Sequence, residues 1–317
     1  MISDRKQDMT LEEAFAALAN GRQLRTTDVD ATIGSQLAEY GVACVDGVFG
    51  ERDCEFLNAT TIESNLNEST RAWLRRIEAL PCTESTNSDL LERSRDMEID
   101  GWIRMAEVQT RGRGRRGRQW VSPFAKNVAV SIGVAIDRST AEIGAISLAV
   151  GLHTATTLDR FGIDDARLKW PNDVLIGQRK VGGILIELAD AQRPARLVVG
   201  IGINVNDAPG RDVTGDYLAT RVVDHGVSCS RNSLVAQLIN STHDAIRQFE
   251  TSGFAVFKEA WEQRDTLRGR QVVLMGVEPP VLGTGIGIDN EGAYLIQTGE
   301  GVERAIGGEL SLRVYNT

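Results

Sequence analysis

Residues 111–118 read Arg-Gly-Arg-Gly-Arg-Arg-Gly-Arg, five arginines in eight positions of a chain whose formal charge is −9. Within that stretch Gly112, Gly114 and Gly117 satisfy G-x-G-x-x-G, the spacing that opens a dinucleotide-binding βαβ unit. Such a unit needs a helix to begin at the glycines, because the pyrophosphate rests on the helix N-terminus. Here Pro123 follows, and then an apolar, β-branched run over 127–136 that predicts a strand. A doubly wound dinucleotide domain is therefore excluded. Walker-type and kinase readings fail as well, since the chain has no G-x-x-x-x-G-K-[ST], H-R-D or D-F-G. The arginine stretch is instead a loop between strands predicted over 102–108 and 127–136.

Guanidiniums present planar forks of donors that match phosphate and carboxylate. Interleaved glycines let backbone N–H groups approach an anion closely. The combination suits a mobile loop that closes over a phosphorylated intermediate. A disordered RNA contact and a solvated basic turn are the bland alternatives. Trp120, Ser122, Pro123 and Phe124 directly after the loop have the character of packed structure and speak against both. So does the acidic balance of the whole chain, which opposes broad attraction to nucleic acid or an anionic membrane.

The remaining pattern is mixed. Helices are predicted over 142–161 and 232–249, a strand over 197–203, and a hairpin over 174–188 turning at Gly177-Gln178. From Arg268 onward the segments are short and dotted with glycine, as in a small barrel or sheet. The four cysteines show no C-x-x-C spacing and the three histidines no H-E-x-x-H, so no zinc site is expected. No signal pattern or apolar span is visible, which predicts a soluble, cytoplasmic chain. Three more clusters stand out: Lys169-Trp170-Pro171-Asn172-Asp173, Lys180-Val181-Gly182-Gly183-Ile184, and Gly200-Ile201-Gly202-Ile203-Asn204-Val205-Asn206. Each alone reads as structure, with Trp170 as core and Lys180 as a solvated cation. Their joint occurrence with the arginine loop carries the weight.

Taken in order with Ser85-Thr86-Asn87, Gln109 and the terminal stretch Gly307-Gly308-Glu309-Leu310-Ser311-Leu312-Arg313, these motifs resemble the bacterial biotin protein ligase family over roughly residues 80–317. The resemblance implies an α/β (α+β mixed sheet) fold: a class II aminoacyl-tRNA synthetase-like catalytic domain over 67–267 and an SH3-like barrel over 268–317. It implies that biotin is activated by ATP to biotinyl-5′-AMP and passed to a lysine of a biotin carboxyl carrier protein. Lipoate ligases share the fold class, and the G-R-G-R-R-G loop favours biotin. By matching position, Ser85, Thr86, Asn87, Gln109, Gly112, Arg113, Gly114, Arg115 and Lys180 are expected to bind biotin. Lys180 and Arg115 are expected to act on the reacting groups. Arg116, Arg118, Trp120, Asn127, Asn172 and Asn204 are expected to contact the nucleotide. Mg²⁺ is expected to accompany the triphosphate, with no protein metal site. A monomer or weak homodimer is expected, with no membrane partner.

Residues 1–66 form an acidic head that resembles the family's N-terminal winged helix only at its edges. Helices are predicted over 11–20, ending at Gly21, and over 30–40, ending at Gly41, with a hairpin over 42–49 turning at Asp46-Gly47. That leaves two helices where a winged helix-turn-helix has three. The head holds five Lys and Arg against twelve Asp and Glu, a balance of −7. Phosphate neutralisation supplies most non-specific DNA affinity, so this surface is expected not to bind DNA. Removal of residues 1–66 is accordingly expected to leave catalysis largely in place, with moderate losses if the head braces the ligand loops. The alternative is a ligase that doubles as a biotin-operon repressor.

Overall fold

The computed structural model describes residues 9–50, 54–209, 218–307 and 310–315. Helix α1 (Leu11–Ala19) starts on a capping box, in which Thr10 Oγ1 accepts from the Glu13 N–H and the Glu13 carboxylate accepts from the Thr10 N–H. Strand β1 (Leu24–Arg25), helix α2 (Ala31–Glu39) and the hairpin β2 (Cys44–Val45) and β3 (Val48–Phe49) follow, in sheet order β1-β3-β2. Phe15, Leu18, Ile33 and Leu37 close on Leu24, Val42 and Phe49. That core is not self-contained. Val108, Phe124 and Ala125, which stand at the two feet of the arginine loop, complete it. The Phe15 and Phe124 rings stack with centroids 5.1 Å apart, and the Phe124 N–H donates to the Tyr40 carbonyl at 2.9 Å.

Two helices of six residues each, α3 (Ala59–Ser64) and α4 (Glu68–Trp73), had no counterpart in the periodicity, because six residues are under two turns. Each is started by an asparagine side chain instead, Asn58 and Asn67. Leu57, Ile62 and Leu66 belong to the larger core, where α3 packs against the long helix near residue 240.

The main body contains β4 (Arg76–Leu80), α5 (Thr86–Arg93), β5 (Trp102–Ala106), β6 (Val128–Ile136), α6 (Ile143–Arg160), β7 (Ala166–Lys169), β8 (Asp173–Ile176), β9 (Arg179–Asp190), β10 (Ala195–Ile203) and α7 (Arg231–Ser252). Its seven strands run in the order β4-β5-β6-β10-β9-β8-β7. The β4–β5 pair is parallel and the others are antiparallel, which makes this a mixed α/β sheet. Helices α6 and α7 pack together over one face, and α5 lies against β6 and β10.

After α8 (Lys258–Glu262) come β11 (Gln271–Met275), β12 (Val281–Ile288), β13 (Tyr294–Gln297), β14 (Val302–Ala305) and β15 (Ser311–Val314), an antiparallel sheet ordered β14-β13-β12-β11-β15. Gly292, at φ +83°, seats this sheet on α6: a Cβ there would lie 2.9 Å from the Ala145 Cβ. Trp170 Nε1 donates to the Gly292 carbonyl at 3.2 Å, and the Tyr294 hydroxyl donates to Asp265 Oδ2 at 2.8 Å. Burial pushes the Asp265 carboxyl up to about 6, against the lowering effect of the Leu267 N–H and the Tyr294 hydroxyl. Gly308 and Glu309 of the terminal motif lie outside the described residues.

Candidate active site

The floor of the site follows from the period of two in β6 and β10. Val128, Val130, Ile132 and Val134, with Leu197, Val199, Ile201 and Ile203, join the core beneath α6 and α7. The alternate positions therefore face the other way. Register sets Ser131 beside Gly200, Ala129 beside Gly202, and Gly202 beside Gly183 of β9. A Cβ on Gly200 would lie 2.3 Å from Asn87 Oδ1, and one on Gly202 2.5 Å from the Trp120 ring. Bare backbone at these two positions is what lets Asn87 and Trp120 lie on the sheet.

Ser85 caps α5, so Thr86 and Asn87 occupy its first turn above that floor. The buried polar groups there form one chain. Gln109 Oε1 accepts from the Thr86 N–H at 2.9 Å and lies 3.1 Å from Thr86 Oγ1. Ser131 Oγ lies 2.7 Å from Thr86 Oγ1 and 2.5 Å from Asn87 Oδ1. A hydroxyl has one proton, and an amide oxygen can only accept, so Asn87 takes it. The Asn87 amide nitrogen donates to Glu187 Oε2 at 2.9 Å and to the Leu185 carbonyl at 3.3 Å. Both its N–H groups are thereby used, and its oxygen, turned toward Ser131 and Gly200, keeps only acceptor capacity.

Lys180 opens the second half of the cavity. Its ammonium lies 2.6 Å from Asp173 Oδ1, with the strands β8 and β9 holding the pair. Burial would raise the Asp173 carboxyl, but the charge of Lys180, then Lys169, the hydrogen bond from Lys180 and the charge of Arg115 outweigh it and hold the carboxyl below its ordinary value. Asp173 is therefore ionised at neutral pH, and Lys180 is a fixed cation.

The arginine loop forms the opposite wall. It is pinned at its neck by Trp120 N–H to Gly112 O at 2.8 Å and Gly114 N–H to Arg118 O at 2.7 Å, and Arg116 sits at φ 59°. Arg113 donates to Glu187 Oε1 at 2.7 Å and to Ser88 Oγ at 3.2 Å. Arg115 reaches Asn172 Oδ1 at 3.0 Å and the Leu310 carbonyl at 3.0 Å, and Arg116 reaches Ser311 Oγ at 3.0 Å. The tail strand thus closes one side of the site.

One cavity gathers Ser85, Thr86, Asn87, Gln109, Arg113, Gly114, Arg115, Arg116, Arg118, Trp120, Asn172, Lys180 and Asn204 from segments up to about 120 positions apart. Gly112 and Asn127 do not line it. Gly112 lies beneath the loop neck, where a Cβ would meet the Trp120 carbonyl at 2.3 Å. Asn127 Oδ1 instead accepts from the Val205 and Asp207 N–H groups at 2.9 and 3.2 Å, bracing the end of β10.

A profile of the biotin/lipoate A/B protein ligase family matches residues 79–204. The bifunctional ligase/repressor BirA of Escherichia coli is 34% identical over 260 residues, 82% of this chain and 79% of the relative. This chain belongs to the biotin protein ligase family. The biotin–[acetyl-CoA-carboxylase] ligase of Mycobacterium tuberculosis is 32% identical over 249 residues, 77% of this chain and 91% of that protein. A biotin protein ligase from Aquifex aeolicus, solved in complex with biotin and ATP, superposes with a TM-score of 0.64 at 28% identity, covering 76% of this chain and 99% of that one.

Within this member of the biotin protein ligase family, four residues at the site were not identified from sequence: Ser131, Asp173 and Ser311, which line the cavity, and Glu187, which holds two of its lining residues, Asn87 and Arg113. Ser131 was visible as the one hydroxyl in the apolar run Val-Ala-Val-Ser-Ile-Gly-Val-Ala-Ile of β6. Asp173 stood inside a motif already singled out. Ser311 likewise stood inside the terminal motif, although its loop partner Arg116 is 195 positions away; Glu187 carried no local signal, its loop partner Arg113 being 74 positions away. Among the described residues no group of three or more His, Cys, Asp or Glu could hold a metal ion. The one carboxylate beside Lys180 is already paired with it.

Proposed function

We propose that this chain activates biotin with ATP to biotinyl-5′-AMP and transfers the biotinyl group to a lysine of a biotin carboxyl carrier protein. The observation that carries the reading is one cavity with two chemistries. At one end stand neutral, hydrogen-bonded side chains (Thr86, Asn87, Gln109), at the other the cation Lys180 held by Asp173, and the loop wall adds the guanidiniums of Arg113 and Arg115. Neutral donors and acceptors suit the ureido ring of biotin, and cations suit its carboxylate and the α-phosphate. Ser85 shapes the ring end by capping α5, Gly114 gives the loop its close approach, and Gly112 lets the Trp120 backbone pack against the loop neck. Among the described residues, buried Trp120 Nε1 and Asn204 Oδ1 have no protein partner, an arrangement that costs free energy unless a ligand supplies one. They support a nucleotide end that also takes in Arg116, Arg118 and Asn172. Asn127 acts there through the backbone it braces.

A carboxylate oxygen of biotin attacks the α-phosphorus of ATP, the bond to the bridging oxygen breaks, and pyrophosphate leaves. Charge accumulates on the α-phosphoryl oxygens as it does so. Lys180, held in place by Asp173, and Arg115 stabilise that charge more in the transition state than in the ground state. The acceptor lysine, as a free amine, then attacks the acyl carbon, AMP departs, and the amine loses a proton. No enzyme nucleophile is needed; the protein holds the reagents in line and keeps water out. Mg²⁺ would enter on the triphosphate, because the described residues offer no cage for it.

We further read the seven-stranded body as class II aminoacyl-tRNA synthetase-like and the β11–β15 sheet as SH3-like, with parts at 1–66, 67–267 and 268–317. The head we read as a degenerate winged helix that does not bind DNA. Its second helix, Ala-Thr-Ile-Gly-Ser-Gln-Leu-Ala-Glu, carries no Lys or Arg. A cytoplasmic monomer or weak homodimer completes the reading; among the described residues no helix is long and apolar enough to cross a membrane. The alternative, ligase and biotin-operon repressor together, is favoured by the likeness to BirA.

The test is ATP-dependent biotinylation of a purified carrier domain, with its target lysine changed to arginine as control. Label on the lysine alone is expected; transfer of lipoate in place of biotin would contradict the reading. A biotin-dependent, sequence-specific gel shift with the chain's own biotin-gene promoter would restore the repressor.

A further inference from the structure

Glu187 on β9 touches both walls of the cavity. One carboxylate oxygen accepts from the Asn87 amide at 2.9 Å, the other from the Arg113 guanidinium at 2.7 Å. Nothing in the reaction calls for an acidic group here, and a carboxylate beside a site for two anions is electrostatically adverse. Its geometry supplies a reason for it. Asn87 can point either its oxygen or its nitrogen toward a ligand, and the two orientations differ by a half-turn of the amide. Glu187 can only accept, so it selects the orientation in which Nδ2 is turned to β9 and Oδ1 to Ser131. The Leu185 carbonyl, also an acceptor, reinforces the choice. Asn87 therefore presents an acceptor, the group that a ureido N–H requires.

The second contact has the opposite character. The Arg113 side chain is 47% exposed and Glu187 19%, so their ion pair is solvated and weak. Ser88 Oγ adds a second exposed contact. A weak pair is what a loop arginine needs if it is to exchange its carboxylate for a ligand anion and return. We infer that Glu187 is a positioning residue with two separable tasks: it fixes the acceptor orientation of Asn87, and it parks Arg113 until a ligand anion takes that arginine. The inference rests on reading this cavity as the biotin and ATP site.

The two tasks divide between two substitutions. Glu187→Gln keeps a side-chain acceptor for Asn87 and removes the charge facing Arg113. Glu187→Ala removes both. With full-length protein, biotin affinity is measured by calorimetry, and trypsin cleavage within 111–118 is timed without ligand. Glu187→Ala should weaken biotin about tenfold, the loss of one charged acceptor's hold. Glu187→Gln should bind biotin within about threefold of wild type, a difference below one such hydrogen bond. Both variants should be cut in the loop several-fold faster than wild type. Asn87→Ala is the control for the site itself. If it leaves biotin binding unchanged, the biotin reading of this end of the cavity fails. If it weakens biotin while Glu187→Ala binds and is cleaved like wild type, the role given to Glu187 is wrong. Equal loss of biotin affinity in the Gln and Ala variants would also overturn it, because the acceptor alone would then not suffice.

Discussion

The two walls of the cavity are built on opposite principles. On the sheet wall, Thr86, Asn87, Gln109 and Ser131 are each at most 6% exposed and bound to one another. On the loop wall, the arginines make partly exposed contacts to Glu187, Asn172 and the tail. Buried polar groups must be satisfied and so hold one geometry. Exposed ion pairs are worth roughly 0–1 kcal/mol and exchange readily. The sheet wall therefore supplies geometry and the loop wall supplies charge that can move. The loop is nonetheless not free at its feet, where Val108 and Phe124 are sealed under the head.

That seal gives the largest expected effect. Phe15→Ala should cost about 3–5 kcal/mol of stability, the usual range for a buried phenylalanine. It should also speed cleavage of the loop, measured by urea unfolding and limited proteolysis. Unchanged cleavage in a destabilised variant would make the head a bystander to the loop wall. For the same reason, deletion of residues 1–66 is now expected to damage the enzyme rather than spare it. It would strip Leu57, Ile62 and Leu66 from the main core along with the head's cover of Phe124.

On the sheet wall, Lys180→Ala should raise the adenylation barrier by on the order of 2–4 kcal/mol, as lost electrostatic donors do elsewhere. A folded variant that forms the adenylate at near-normal rate would remove Lys180 from the chemistry.

The seat of the C-terminal sheet, on which Arg115 and Arg116 lean, responds to pH. The folded Asp265 carboxyl at about 6 lies above its unfolded value. Between the two values the unfolded chain has lost a proton that the folded one keeps, so stability falls as pH rises through about 4 to 6 and is flat beyond. The drop should be on the order of 2–3 kcal/mol and absent in Asp265→Asn, as followed by thermal melts across that window. An identical pH profile in the variant would clear Asp265 of the effect.

The smallest change expected is at Ser131→Ala, about 1–2 kcal/mol of biotin affinity, from the Asn87 oxygen left without its donor. Biotin binding by calorimetry measures it; no change would mean that the sheet wall holds its geometry without that hydroxyl.

What the sequence could reveal followed the length scale of each cause. Helix α6, 18 residues with apolar positions at helical spacing, was legible; α3 and α4, started by single asparagines, were not. The cavity's residues were identified through ordered motifs, yet which of them touch is set by sheet register. Ser131 meets Asn87 only because β6 pairs with β10 so that Ser131 faces Gly200. Glu187, Ser311 and the Asp265–Tyr294 contact join positions 29 to 195 residues apart, beyond any local pattern. The aromatic Trp170 illustrates the converse, since it sits in a conspicuous motif but its indole N–H anchors the C-terminal sheet.

Biotin-dependent exchange of labelled pyrophosphate into ATP tests the central claim most directly, because it isolates the step that the sheet wall and Lys180 are built for. Purified full-length protein should catalyse the exchange with biotin and Mg²⁺ present and no acceptor protein, and should stop when biotin is withheld. No exchange from folded protein, or exchange that proceeds equally without biotin, would contradict the account.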